Sequence, residues 1–349
     1  MLRCPIMENT LKRLPDPAVV AALRRHPLLK PHALAAPQPP AVVKAAILVL
    51  VAKFSVEQGL QQIVDNCLTQ IRGNQAGVEI GSDPESVHQM RVGLRRLRSA
   101  LGLFDEVAPC PTALQAELEW LTNALGAARD WEVLAGSTLI NAANAVPDQT
   151  AMGQLQQAAQ LQARKNRQGA AQVVASVRYA SLLQALGGWV SGAGWRGLPA
   201  PAGQNKLQMP LARFAARMLA QCHAKLHKRG KLLRGESEPT ASATARVRHR
   251  VRIAAKKVRY AAEFFQSLYP LRRVLPYVDA LTGLQDALGA LNDVAVADGL
   301  LRQLADAHPD LAYSAGCVSG YLAARTERDA RKLGKLWRQF AAIKLPSRK

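Results

Sequence analysis

His88 and His249 stand 161 residues apart and open the same pattern. The first copy reads HQMRVGLRRLRSALGLF and the second HRVRIAAKKVRYAAEFF. The histidine, an arginine (Arg91/Arg252), a basic pair (Arg95–Arg96/Lys256–Lys257), a second arginine (Arg98/Arg259), an alanine (Ala100/Ala261) and a phenylalanine (Phe104/Phe265) align without a gap. Pro109 then matches Pro270, and ARKNR at 163–167 matches ARTER at 324–328. After a two-residue insertion, LGAARD ending at Asp130 matches LGALND ending at Asp293. So long a period excludes a solenoid and predicts a duplicated domain half. The chain reads as a tandem of two similar units, each built around one very basic helix.

On a helical wheel His88, Arg91, Arg95 and Arg98 fall within an arc of about 80°. Met90, Leu94, Leu97, Leu101 and Phe104 fill a separate arc of similar width. The second copy sets His249, Arg252, Lys256 and Arg259 against Val251, Ala255, Val258, Ala262 and Phe265. One face packs and the other carries a cationic stripe. Like charges at these spacings cost a helix up to ~0.5 kcal/mol per pair. Bearing that cost at matching positions in both copies implies that the stripe serves something. Arg164 and Arg167, matched by Arg325 and Arg328, add a second stripe to each half. Four such stripes suit a shared groove or channel for repeated negative oxygens, which arginine meets with charge-assisted bonds. For His88 and His249 two readings stay open: a satisfied structural group, or a donor that becomes more cationic beside an anion. Asp130 and Asp293 are read as helix caps or as partners that orient an arginine.

The rest of the chain is organised around these copies. Residues 1–50 hold Pro15, Pro17, Pro27, Pro31, Pro37, Pro39 and Pro40, which predicts a tail or linker. The folded region is placed at 51–345, with halves at about 51–197 and 207–345. A Gly/Pro-rich link, GGWVSGAGWRGLPAPAGQNK, joins them. Apolar residues recurring at three and four predict helices throughout. Beyond the motifs these fall at about 112–127, 130–145, 149–190 with a break near Tyr179, 209–233, 272–289, 293–307 and 310–341. Ser82 or Asp83 can cap the first motif helix, with Pro84 in its first turn. No segment alternates with period two, so the expected fold is all-α, two pseudo-symmetric helical bundles.

A net charge of +21 over 349 residues repels itself unless a polyanion compensates. Nucleic acid, an anionic membrane or another polyanion would all serve. Aromatics at 5% leave few stacking platforms for bases. Five scattered cysteines without metal-ligand spacing suggest a reducing compartment. The longest apolar run, Ala45–Ala52, is too short to span a bilayer, and the first residues do not look like a signal peptide. His223 and His227 stand four apart among cations, without a carboxylate, so no metal site is expected there. No Walker A loop, zinc-protease motif or GxSxG is present. The expectation is a protein without catalytic apparatus, metal or cofactor.

VHQMRVGLRRLRSALGLF with LGAARD, and HRVRIAAKKVRYAAEFF with LGALND, resemble the CHAD family, the conserved histidine α-helical domain, over roughly residues 50–345. The resemblance implies two pseudo-twofold-related four-helix-bundle halves around a basic central cavity. It also implies that the cavity binds inorganic polyphosphate, with association to polyphosphate granules in the cytoplasm. Carried over residue by residue, the binding positions are His88, Arg91, Arg95, Arg96 and Arg98, with His249, Arg252, Lys256, Lys257 and Arg259. The repeat extends this set to Arg164, Arg167, Arg325 and Arg328. PPAVVKAAILVLVAKFSVEQGL resembles the junction that follows a CYTH triphosphate-tunnel domain, but the sequence before it is too short to hold one. That domain's ExExK signature is also missing, since ESEPT at 236–240 lacks the lysine. The expected function is therefore non-enzymatic polyphosphate binding; a nucleic-acid-binding protein and a polyphosphate hydrolase are the alternatives.

Overall fold

The first copy begins where the chain leaves an extended stretch and a side-chain cap starts a helix, the second at Pro210 without one. Ser55 accepts from the Gln58 amide and Gln58 returns a bond to Ser55, a reciprocal cap that opens α1 (Val56–Gly73). A short α2 (Gln75–Ile80) follows. Asp83 then accepts from the amides of Glu85 and Ser86 and starts α3 (Pro84–Phe104), the first motif helix, with Pro84 at its first position. Helix α4 (Thr112–Val133) begins after Pro111 and runs on through a π-helical stretch, Leu134–Thr138. Asp148 caps α5 (Gln149–Val174) and Ser176 caps α6 (Val177–Ser191). The second copy supplies α7 (Leu211–Gly230), α8 (Ala241–Phe265, the second motif helix), α9 (Leu271–Ala307) and α10 (Ala312–Ala342). This computed structural model describes residues 40–196, 204–234 and 241–347.

The fold is all-α, as expected. Among the described residues the only β-type pairing is one bridge, Ser55 with Pro210. It joins the entries to the two copies: Val56 donates to the Met209 carbonyl at 3.0 Å and Leu211 to that of Phe54 at 2.7 Å. The break foreseen near Tyr179 falls at 175–176, where Ser176 caps. The break foreseen between 289 and 293 is absent, because α9 runs through it. Leu281, Leu284, Leu288 and Leu291 are all buried across that point, so the apolar face continues past Gly289. Burial of that face outweighs the ~1 kcal/mol that glycine costs inside a helix. Likewise α4 continues past the foreseen stop at 127.

Two hydrophobic cores hold these helices, and both copies contribute to each. The larger gathers Leu60, Leu94 and Phe104 with Phe214, Val258 and Phe265. The smaller gathers Trp131, Leu139 and Leu155 with Leu301, Leu304 and Val318. No division falls between the halves: Pro40–Lys349 is one compact unit. The sequence repeat thus duplicates a run of helices, while the packing unit is both copies together.

Of the expected tail, residues 1–39 lie outside the described residues, but 40–50 are held on the folded region. The Val43 amide donates to Asn74 Oδ1 at 3.1 Å, and Asn74 Nδ2 donates to the Val43 carbonyl at 2.7 Å. Leu50 is buried, and its amide donates to Ser267 Oγ at 2.9 Å. Asn74 is itself buried, so cutting the chain at 45 leaves its carboxamide short of partners. Such a truncation, or Asn74→Ala, should lower unfolding free energy by about 1–3 kcal/mol in urea titrations. An unchanged midpoint would show that this strap holds nothing.

Candidate functional site

The apolar arcs of the two motif helices set their orientation. Met90, Leu94, Leu97, Leu101 and Phe104 on α3 are buried, as are Val251, Ala255, Val258, Ala262 and Phe265 on α8. The Phe104 and Phe265 rings lie 6.3 Å apart, and Phe214 sits 4.7 Å and 6.4 Å from them. With the phenylalanines sharing one core, α8 packs against α3 and part of each cationic arc is brought to the other.

Arg95 of α3 acts electrostatically on both Arg252 and Lys256 of α8. Arg91 is largely buried and its Nη2 lies 3.8 Å from Asp130 Oδ1. Asp130 also feels Arg252, and Asp293 acts on Arg252 and Lys256. The aspartates therefore hold cations; both lie within helices, α4 and α9, and neither caps one. Burial raises the Asp130 carboxyl above the usual range, opposed by Arg91 and reinforced by Asp293. Arg91, Arg95, Arg129, Arg252 and Lys256 thus surround two carboxylates and outnumber them. The Nε atoms of Arg95, Arg252 and Arg259 are buried without a hydrogen-bond partner. Buried donors of this kind are normally satisfied, so this is where the fold has donor capacity to spare.

His88 stands beside this group. Burial, then the charges of Arg129, Arg95 and Arg91, hold its imidazole below the ordinary value, against the pull of Glu85. Its neutral form is thus favoured more than that of a free imidazole. His249 is exposed and lines a cavity of about 560 Å³ together with Arg252.

The remaining sequence-predicted residues fall elsewhere. Arg96 is buried, donates to Gln70 Oε1 at 3.0 Å and Asn66 Oδ1 at 2.8 Å, and lies over the Phe264 ring. It braces α1 against α3. Arg98 and Lys257 share a cavity of about 350 Å³ with Asp105 and Glu119, apart from the group around Arg95. Arg259 is drawn to Glu263 on its own helix at 3.2 Å. Arg167 pairs with Glu132 at 2.9 Å, and Arg164 and Arg328 are exposed. Arg325 lines a small cavity of about 140 Å³ that Asp293 also reaches. His223 donates to or accepts from Tyr277 Oη at 2.9 Å and stacks with His227 at 4.2 Å. With Trp337 and Phe340 beside them, these histidines belong to an aromatic cluster.

The CHAD domain profile matches residues 62–302. The chain belongs to the CHAD family. The crystal structure of the CHAD domain from the plant Ricinus communis is similar at 37% identity and TM-score 0.76, covering 88% of this chain and 99% of that one. PptA from Streptomyces chartreusis shares the fold at TM-score 0.56 and 17% identity, covering 82% and 100%. No curated protein matches the chain at a significant level. The family match names no catalytic activity, and no described helix is long and apolar enough to cross a membrane.

Within this CHAD domain, sequence reasoning missed Arg129, which bears on His88, Arg91 and Asp130. The available signal was its place beside Asp130 in LGAARD, one of the aligned segments.

Lys256 gives the site a measurable signature. Burial, then the charges of Arg252, Arg95 and Arg259 against the pull of Asp293, lowers its amine to about 8. The fold prefers the neutral amine, so this contribution to stability is complete above the unfolded value near 10.5 and is lost as pH falls toward 8. A polyanion placed beside Lys256 would favour the charged amine, so its binding would be coupled to proton uptake by Lys256. Anion affinity should therefore be highest below pH 8 and fall above it, while the free protein gains stability over the same rise. Titrations at pH 7 and pH 9.5 test both signs. Lys256→Arg should flatten the affinity change, and an unflattened profile would remove Lys256 from the site.

Proposed function

We propose that this CHAD domain binds inorganic polyphosphate along the adjoining cationic arcs of α3 and α8 without transforming it. Such binding is also what would attach the protein to polyphosphate granules in the cytoplasm. The observation that carries the reading is Arg95 held beside Arg252 and Lys256, like charges from two helices in partial burial. Holding them together costs stability, and a chain of phosphates removes that cost. Arginine meets phosphate with charge-assisted, often bidentate bonds. His88, Arg91, Arg95, Arg252 and Lys256 form the centre of the proposed site, with Arg129 added. Arg98, Lys257, Arg259, His249 and the later-helix arginines are left outside that centre. Arg96 is left to packing.

Two features weigh against nucleic acid as the preferred polyanion. Tyr260 and Phe264, the aromatic side chains beside the stripe, are buried and offer no face to a base. Phosphate chains without bases also follow a narrow path more easily. Competition between polyphosphate of defined lengths and single- or double-stranded nucleic acid, at several salt concentrations, tests the reading. Polyphosphate should win at equal phosphate concentration. Equal affinity for duplex DNA would replace the proposal with a general basic surface.

A further inference from the structure

The two copies differ at one end of the stripe, and the difference makes a pocket. In the second copy a cavity of about 560 Å³ opens between α8 and α9. Arg246, Arg248, His249, Arg250 and Arg252 line it from α8. Leu288, Leu291, Asn292 and Ala295 line it from α9, with both leucines buried. No carboxylate is among the described residues that line it.

The aligned positions of the first copy carry different side chains. Arg129 and Glu132 stand where the second copy has Asn292 and Ala295. Glu132 is tied to Arg167 at 2.9 Å. Glu85, Val87 and Gln89 stand where the second copy has Arg246, Arg248 and Arg250. Gln89 donates to Glu85 at 2.8 Å and accepts from Gln70 at 3.1 Å, while Val87 is buried. Arg129 and Glu132 are thus replaced by the smaller Asn292 and Ala295, Ala128 by the larger Leu291, and three neutral or acidic positions become arginines. The result is a pocket with a cationic wall and an apolar side formed by Ala245, Ala295 and the edge of Leu291.

An inorganic phosphate chain gains nothing from that apolar side, because it has no apolar surface to remove from water. A ligand that uses both surfaces carries an anionic phosphate at one end and an apolar group at the other. The volume falls within the range of small-molecule pockets, roughly 300–1,000 Å³. We infer that this pocket binds an organic phosphate monoester, its phosphate on His249 and Arg252 and its apolar group against Ala245, Ala295 and the exposed edge of Leu291. Since His249 and Arg252 lie at the end of the cationic stripe, such a ligand competes with any polyanion lying there. The inference stands on the cavity and does not depend on polyphosphate being that polyanion.

Calorimetric titration of the full chain with phenyl phosphate, methyl phosphate and inorganic phosphate tests it. Phenyl phosphate should bind about tenfold or more tightly than methyl phosphate, since that ratio corresponds to roughly 1.4 kcal/mol of ring burial. Asn292→Arg and, separately, Ala295→Glu place the first copy's side chains in the cavity and should erase the preference. Asn292→Arg should keep or tighten polyphosphate binding, because it adds a cation. Phenyl phosphate binding no better than methyl phosphate in the unaltered protein overturns the inference, as does a preference that survives both variants. Absence of polyphosphate binding with the phenyl preference intact counts against the proposed function and leaves this pocket standing.

Discussion

Arg95→Glu combined with Lys256→Glu is expected to weaken polyphosphate binding by about a hundredfold or more. Each lost hydrogen bond to a charged group is worth roughly 1.5–3 kcal/mol, so two contribute about 3–6 kcal/mol before any repulsion is added. The salt dependence should flatten as well. If each phosphate neutralised contributes about 0.7 to the slope of log affinity against log salt, removing two cations reduces it by about 1.4. Folding should survive, because Arg95 and Lys256 sit among like charges and their reversal relieves repulsion. Arg91 is a less clean choice, since Asp130 lies 3.8 Å away and would face a new carboxylate. Far-UV circular dichroism checks helicity beside the binding titration. Unchanged affinity in a folded double variant would dismiss the stripe as the binding site.

Phe265→Ala should remove about 3–5 kcal/mol of stability, the usual cost of emptying a large buried aromatic position. Phe104→Ala should cost a similar amount. The two rings come from different copies, lie 6.3 Å apart and both touch Phe214. Because they share one core, either substitution should shift a single unfolding transition that carries both halves. Urea unfolding followed by near-UV and far-UV signals decides the matter. Two separate transitions, only one of them displaced, would mean that each half keeps a core of its own.

How far the sequence reaches can be seen within a single motif. Periodicity places Leu94, Leu97 and Phe104 in the core, and cap chemistry narrows the helix start to Ser82 or Asp83, of which Asp83 serves, because both signals depend on local geometry. The basic pair Arg95–Arg96 reads as two equivalent cations, yet adjacent residues point about 100° apart on a helix. Arg96 falls between the two arcs, about 80° from either, and its fate was decided by Gln70 and Asn66 on another helix. Nothing local to the motif specifies those partners. The proximity of Arg95 to Lys256 is likewise a property of how α3 meets α8. A repeat predicts that two copies exist and leaves open whether they pack separately or interleave. The lining of the cavity of about 560 Å³ turns on differences between the copies, such as Arg129 against Asn292, which a comparison of matches passes over.

The smaller core has a consequence for synthesis on the ribosome. Its first-copy side is complete once residues 131–163 have emerged, but its partners lie at 297–322. Trp131, Leu139 and Leu155 must therefore wait for α9 and α10 before they can be covered. At about 5–20 residues per second, that wait is on the order of 10–30 s. Throughout it the nascent chain carries an uncovered apolar face, the kind of surface that holdase chaperones recognise and that drives aggregation. A slow stretch of translation late in this message would lengthen the exposure, whereas the same pause before residue 131 would not.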